Sequence, residues 1–188
     1  LYIKSIIGGE VIMKKVECFD PIINENCDTL ILGTAPGQIS LDKSQYYGNT
    51  NNYFWDIIFR LFKNNWGAYE YVNDKITYEF KKELLLQNNI ALWDVIKTCD
   101  REGSSDKKIQ NEVLNDFNSF FKKFDRINKV IFNGKGNSKM SGNKLFLKSF
   151  PNLLRSKTTH CLNSTSSQNP NNPFMILNEW SNALKSRT

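Results

Sequence analysis

Four short runs of apolar and β-branched residues punctuate the chain at 29–32, 90–93, 129–132 and 157–162, and each gives way to polar or turn-forming residues. Runs of this length with such flanks predict strands of a parallel sheet. Between the first two, Phe54, Ile57, Ile58, Leu61 and Phe62 recur at i, i+3, i+4, i+7 and i+8, the period of a helix that lays one apolar stripe on a sheet. Further helices are predicted over 81–87, 113–121, 143–150 and 173–184, with a loop over 64–73. Strands alternating with crossover helices predict an α/β fold, a three-layer α/β/α sandwich with a short, mainly parallel central sheet. Alternation by itself does not separate this from other doubly wound folds.

The first strand runs straight into Gly33-Thr34-Ala35-Pro36-Gly37-Gln38-Ile39-Ser40-Leu41, a turn with two glycines and a proline. The chain then enters the amphipathic helix through Gln45-Tyr46-Tyr47-Gly48-Asn49-Thr50-Asn51-Asn52-Tyr53-Phe54-Trp55. The carboxyl end of a strand is where an α/β sheet makes a ligand pocket, so the two segments are the predicted pocket floor. A nucleotide-binding protein whose turn cradles a free phosphate is the competing class. The turn has no G-x-G-x-x-G spacing and no Lys-Ser/Thr pair, which counts against it.

A chain of 188 residues that is 40% hydrophobic and 13% aromatic has enough apolar surface for one full core and is not broadly disordered. One domain is expected over 13–188, with residues 1–12 an extension ahead of Met13 that is assigned no function. The first nine residues contain no apolar run long enough to span a membrane or serve as a signal peptide. Lys and Arg total 25 against 19 for Asp and Glu, a net charge of +6. That excess favours a polyanionic partner such as DNA, although the basic residues are scattered and charge alone weighs little. Cys18, Cys27, Cys99 and Cys161 include no C-x-x-C pair, which counts against zinc and iron-sulfur sites. Reduced, mostly buried thiols in a cytoplasmic protein are the expectation.

Together the turn and the Tyr/Asn loop resemble the uracil-DNA glycosylase superfamily, and most closely its hypoxanthine-DNA (deoxyinosine) glycosylase branch. That branch has a Gly-x-x-Pro-Gly-x-x-Ser-Leu turn followed by Tyr-Tyr-Gly and Asn-x-Phe-Trp. Ala91-Leu92-Trp93-Asp94-Val95, Arg101-Glu102-Gly103-Ser104-Ser105-Asp106 and Phe132-Asn133-Gly134 are similar to its middle motifs. Leu162-Asn163-Ser164-Thr165-Ser166-Ser167-Gln168-Asn169 is similar to its terminal loop. Two other branches carry an iron-sulfur cluster that begins with a close cysteine pair, absent here. The resemblance implies a monofunctional glycosylase that flips a deaminated base, preferentially hypoxanthine, out of double- or single-stranded DNA and removes it by hydrolysis. It implies a monomer with no metal and no cofactor. A uracil- or mismatch-directed enzyme of the same fold, or a catalytically silent DNA-binding relative, stays open.

Residue roles follow on that footing. Base flipping needs an aromatic face and hydrogen bonds to the Watson-Crick edge. Tyr47 is the expected face, with Tyr46 its rival. Much of the superfamily keeps Asn or Asp at the third turn position, where this chain has Ala35, so the water-positioning catalytic role falls to Asn52; the other reading of Asn52 is a helix cap. Asp94 is expected to accept from N1-H of hypoxanthine, or else to cap a helix or pair with Arg101. Thr34 and Asn133 are placed with the base, Asn133 alternatively satisfying a turn. Ser40, Ser164, Thr165 and Ser166 are placed on the DNA backbone, and the stretch 134–142 is a candidate phosphate contact. Asn163, Ser167 and Gln168 stand where the branch has two prolines and an alanine, which predicts a more flexible loop. His160 is off register for a catalytic histidine, and no lysine lies in the pocket motifs to support a Schiff-base step.

Overall fold

The computed structural model describes residues 13–63, 76–136 and 138–185. The expected loop at 64–73 and the residues before Met13 lie outside them. In chain order the elements are β1 (Lys14–Glu17), β2 (Thr29–Gly33), α1 (Gln38–Lys43), α2 (Phe54–Phe62), α3 (Tyr78–Gln87), β3 (Ile90–Asp94), β4 (Ile96–Arg101), a 3-10 turn (Asp106–Lys108), β5 (Ile109–Leu114), α4 (Phe117–Lys123), β6 (Lys129–Asn133), α5 (Gly142–Ser149), β7 (Thr158–Leu162) and α6 (Pro173–Lys185).

The four predicted strands form one parallel sheet in the order β3-β2-β6-β7. Alternation along each strand decides which layer a side chain joins. Ile31, Leu92, Ile131 and Leu162 point to the face covered by α2, α3 and α6. Leu30, Leu32, Ala91, Val130 and Phe132 point to the other, against Phe117, Phe120 and Phe121 of α4 and Leu145 and Phe146 of α5. Both faces are therefore covered, which is why these strands read as continuous apolar runs. Phe54, Ile57, Ile58 and Leu61 of α2 are buried as their spacing predicts. Each such side chain contributes about 1.5–3 kcal/mol by leaving water.

A second sheet was not anticipated. Strands β1, β4 and β5 pair antiparallel in the order β1-β4-β5. The chain passes from β3 into β4 across the single residue Val95, whose N–H donates to Gly33 O at 3.0 Å while Ile96 N–H donates to Thr34 O at 3.1 Å. The turn after β2 is thereby bonded to the junction of the two sheets. Residues 113–121, expected as one helix, divide: Val113 and Leu114 close β5, and α4 begins at Phe117. Asp116 fixes that start, its Oδ1 accepting from Ser119 N–H at 3.1 Å. The helical spacing of Phe117, Phe120 and Phe121 extends by chance back to Leu114, so the pattern alone did not mark the break. Among the described residues no helix is long and apolar enough to cross a membrane.

Candidate active site

Strand β2 delivers its carboxyl end to a cavity of about 120 Å³ lined by Gly33, Thr34, Asp106, Asn133, Gly142 and Ser164, among others. Close backbone approach builds it. A Cβ on Gly142 would lie 3.0 Å from Gly33 O and 3.2 Å from Thr34 Cα, so the start of α5 packs directly on the turn. Gly142 N–H donates to Thr34 Oγ1 at 3.0 Å, which leaves the threonine proton free to point elsewhere. At Gly33 a Cβ would run into Asp94 Oδ1 and come within 3.3 Å of the Tyr47 hydroxyl, so only glycine permits both groups to close on the turn.

Beside this floor runs a chain of side-chain hydrogen bonds through Tyr47, Asn133, Thr165 and Asn52. Asn133 Nδ2 donates to the Tyr47 hydroxyl at 2.8 Å and to Thr165 Oγ1 at 2.9 Å, and its Oδ1 accepts from Thr165 N–H at 3.0 Å. Thr165 Oγ1 in turn donates to Asn52 Oδ1 at 2.8 Å. Asn52 Oδ1 also accepts from Phe54 N–H at 3.0 Å. Asn52 therefore caps the first turn of α2 while being tied across the site to the terminal loop. The tyrosine pair separates cleanly. Tyr46 is turned into the core, its hydroxyl donating to Phe19 O or Asp20 O, both at 3.2 Å. Tyr47, held at φ +52° in the left-handed region, stacks on Phe54 at 3.9 Å between ring centroids and carries its hydroxyl to Asn133. Burial keeps its phenol neutral, raising its pKa above the ordinary value.

The charged groups here are deeply placed. Asp94 is 4% exposed, and its Oδ2 has no hydrogen-bond partner. Burial, reinforced by the Asp106 carboxylate and opposed by Arg101, pushes its pKa up to about 7. Asp106, partly buried on the 3-10 turn, is also shifted upward by burial, with the Thr34 hydroxyl and Arg101 acting against the shift. Arg101 is itself buried and donates from Nη2 to Pro36 O, which clamps the turn. Asp94 and Arg101 form no ion pair, so that expected alternative for Asp94 does not hold. Nor does Asp94 cap a helix: it ends β3 and the chain goes on into β4.

The structure thus brings Thr34, Tyr47, Asn52, Asp94 and Asn133 together around the end of β2. The backbone-facing group divides. Ser164 lines the cavity and, like Ser166 two positions on, is partly exposed. Thr165 is 0% exposed and uses its hydroxyl and N–H inside the protein, and Ser40, 6% exposed, accepts from Gly48 N–H at 3.1 Å. Neither presents its hydroxyl at the surface. The terminal loop, expected to be looser without its prolines, is pinned by asparagines: Asn169 Nδ2 donates to Ser164 O at 2.7 Å and Asn171 Nδ2 to Asn163 Oδ1 at 3.0 Å. Trp180 Nε1 adds a bond to Asn163 O at 3.1 Å. His160 lies on β7 beside a separate, shallow groove that none of these residues lines. Asp106 and Gly142 were missed as site residues. The Arg101 to Asp106 motif carried the signal for Asp106, but no spacing rule brings a hairpin turn to the end of another sheet.

No family model matches the chain. Over 123 residues it is 39% identical to a hypoxanthine DNA glycosylase of Methanosarcina barkeri, covering 65% of this chain and 73% of that protein. A hypoxanthine DNA glycosylase of Methanosarcina acetivorans is 38% identical over 117 residues, 62% of this chain and 70% of that one. The fold is similar to the solution NMR structure of a candidate uracil DNA glycosylase from Methanosarcina acetivorans, with a TM-score of 0.70 and 31% identity over 92% of this chain and 98% of that chain. With this identity, this coverage and the shared sheet, the chain belongs to the hypoxanthine DNA glycosylases of the uracil-DNA glycosylase superfamily.

Proposed function

We propose that this protein is a monofunctional DNA glycosylase that flips a deaminated base, preferentially hypoxanthine, into the pocket at the end of β2 and hydrolyses its N-glycosidic bond. The convergence of Asn52, Thr165, Asn133 and Tyr47 in one hydrogen-bonded chain carries this reading. Cleavage builds positive charge on the deoxyribose and negative charge on the departing base, so the site needs a group to place water below the sugar and donors at the base. Asn52 is the water-positioning group, locked in one rotamer by the Phe54 N–H and the Thr165 hydroxyl. Tyr47 supplies the aromatic face, oriented by Asn133. Asp94 reads the base edge, with Thr34 beside it.

Ser164 and Ser166 face the phosphates, while Thr165 and Ser40 position the loops from within. The net charge of +6 favours DNA through counterion release. The enzyme acts as a monomer in the cytoplasm, without a metal or cofactor. Duplexes containing inosine, uracil or neither test the reading directly. Release of hypoxanthine, leaving an abasic site and an intact strand until alkali is added, is the expected result. Uracil shares the N–H-beside-carbonyl edge at N3 and O4, so its relative rate measures how far the pocket favours a purine. No release from either duplex would overturn the proposal.

A further inference from the structure

Asp94 combines four features that a simple carboxylate acceptor does not need. It is buried at the end of β3, its Oδ2 lacks any partner, a second carboxylate on Asp106 faces the same region, and the neighbouring Arg101 does not pair with it. A buried, ionised carboxylate with an orphaned oxygen is costly, because nothing replaces the water it lost. The groups that act electrostatically with it come from every side: Cys18 beyond β1, Tyr46 and Tyr47 from the pocket loop, Tyr78 at the start of α3, Arg101 on β4 and Asp106 on the 3-10 turn. Of these, the thiol and phenols are uncharged at neutral pH, and the guanidinium is directed to Pro36 O. Asp94 Oδ1 and the Tyr47 hydroxyl both close on the point where Gly33 would carry a Cβ. Gly33 itself lines the cavity, so a base edge brought up to the glycine would meet both groups.

Resting on the glycosylase reading above, we infer that Asp94 works as a neutral carboxylic acid, its hydroxyl donating to O6 of hypoxanthine while its carbonyl accepts from N1–H. A protonated carboxyl has one donor and one acceptor side by side, the pattern of a side-chain amide and the complement of this base edge. Adenine, with an N1 acceptor beside an amino donor, can meet the same pair only if the carboxyl reverses its roles. The proton also serves the reaction. As the bond from N9 to C1′ breaks, its electron pair stays with the purine and negative charge grows on O6. The hydrogen bond from Asp94 strengthens as it does so, while water adds to C1′ and gives its proton to solvent. No proton need leave Asp94. The upward shift of its pKa to about 7 by burial and Asp106 agrees with this state near neutral pH.

The test is the single-turnover rate on an inosine duplex between pH 5.5 and 9, for wild type, Asp94→Asn and Asp94→Ala. Wild type should lose about 50-fold between pH 7 and pH 9, since the neutral fraction of a group titrating near 7 is about one half at pH 7 and about one hundredth at pH 9. Asp94→Asn keeps a donor and an acceptor, so it should stay within about tenfold of the wild-type maximum and lose the alkaline fall; Asp94→Ala should lose at least about 100-fold at every pH. The fall that begins at pH 7 is assigned to Asp94 by its loss in Asp94→Asn, because ionisation of the base's own N1–H toward the top of the range affects both proteins alike. A flat profile, or one that rises through pH 7, overturns the inference, as does Asp94→Asn with an unchanged alkaline fall. All three leave the glycosylase reading intact, whereas a wild type that releases no hypoxanthine at any pH overturns the inference and that reading together.

Discussion

Thr165 Oγ1 donates to Asn52 Oδ1 across 2.8 Å, joining the terminal loop to the first turn of the pocket helix although 113 positions separate them in the chain. The same oxygen of Asn52 receives the Phe54 N–H, so one atom both caps a helix and anchors a loop. Replacing Thr165 with Val keeps the shape and removes the hydroxyl. Asn133 Nδ2 then loses an acceptor inside the protein, which costs about 1–3 kcal/mol. We expect Thr165→Val to fold, to melt earlier, and to excise hypoxanthine more slowly, with Thr165→Ser restoring much of both. Equal rates for the Val variant and wild type would show that the bond serves folding alone.

Asn52 separates capping from chemistry. Asn52→Asp keeps an oxygen that accepts from Phe54 N–H and Thr165 Oγ1, while changing the charge below the sugar. Asn52→Ala removes the cap, at about 0.5–2 kcal/mol. Single-turnover excision by Asn52→Ala should fall by orders of magnitude, far more than its thermal shift explains. A destabilised variant that still excises at near wild-type rate would restrict Asn52 to the cap.

Tyr47 contributes a ring and a hydroxyl, and two substitutions divide them. Tyr47→Phe loses only the bond from Asn133 Nδ2, whereas Tyr47→Ala also loses the stacked face, a contribution of about 1–3 kcal/mol per base in stacked complexes. The Ala variant should be the more damaged, by roughly 10–100-fold in excision. Binding to a duplex with a stable abasic analogue, where no base remains to stack, should change little in either. Weakened abasic binding in Tyr47→Ala would point instead to a collapsed loop.

The Asp94 carboxyl also has a stability signature. Its pKa is about 7 in the folded protein against an ordinary 3.8, so the folded state holds the proton more tightly. Its contribution is fully present below pH 4 and is lost as pH rises to about 7, at up to about 1.4 kcal/mol per unit. Asp94→Asn has no such dependence. Denaturant melts should therefore show the Asn variant gaining on wild type from pH 4 to pH 7 by an amount on the order of a few kcal/mol, then holding constant. A difference that shrinks over that range would give the opposite sign and place the carboxylate in a favourable pairing.

The strands of the central sheet were legible because both their faces are buried and their sequences are apolar throughout. The antiparallel sheet was not. Glu17, Lys97, Gln110 and Asn111 are exposed on its strands, and polar residues in strands of four to six residues resemble loop. At the site, the motifs identified which segments converge but not which way each side chain turns. Tyr46 and Tyr47 are chemically alike and adjacent, and only the left-handed backbone at Tyr47 sends one inward and the other to the pocket. The burial of Ser40 and Thr165 was equally hidden, since hydroxyl residues are mostly exposed and nothing in their neighbours marks them as interior.

The single residue between β3 and β4 restricts how this chain can vary. An insertion beside Val95 would shift the alternation of β4 by one and exchange its two faces, turning Cys99 and Arg101 outward and Asp100 inward. The clamp on Pro36 O would go with it, and so would the electrostatic setting of both aspartates. A length change is most disruptive at this junction, whereas the Glu102 to Ser105 turn is exposed and tied back mainly through Ser104 Oγ, which accepts from Gln38 N–H at 3.0 Å. The hairpin that carries Asp106 to the cavity therefore has more latitude in length than the step from one sheet to the other, which stays fixed at one residue.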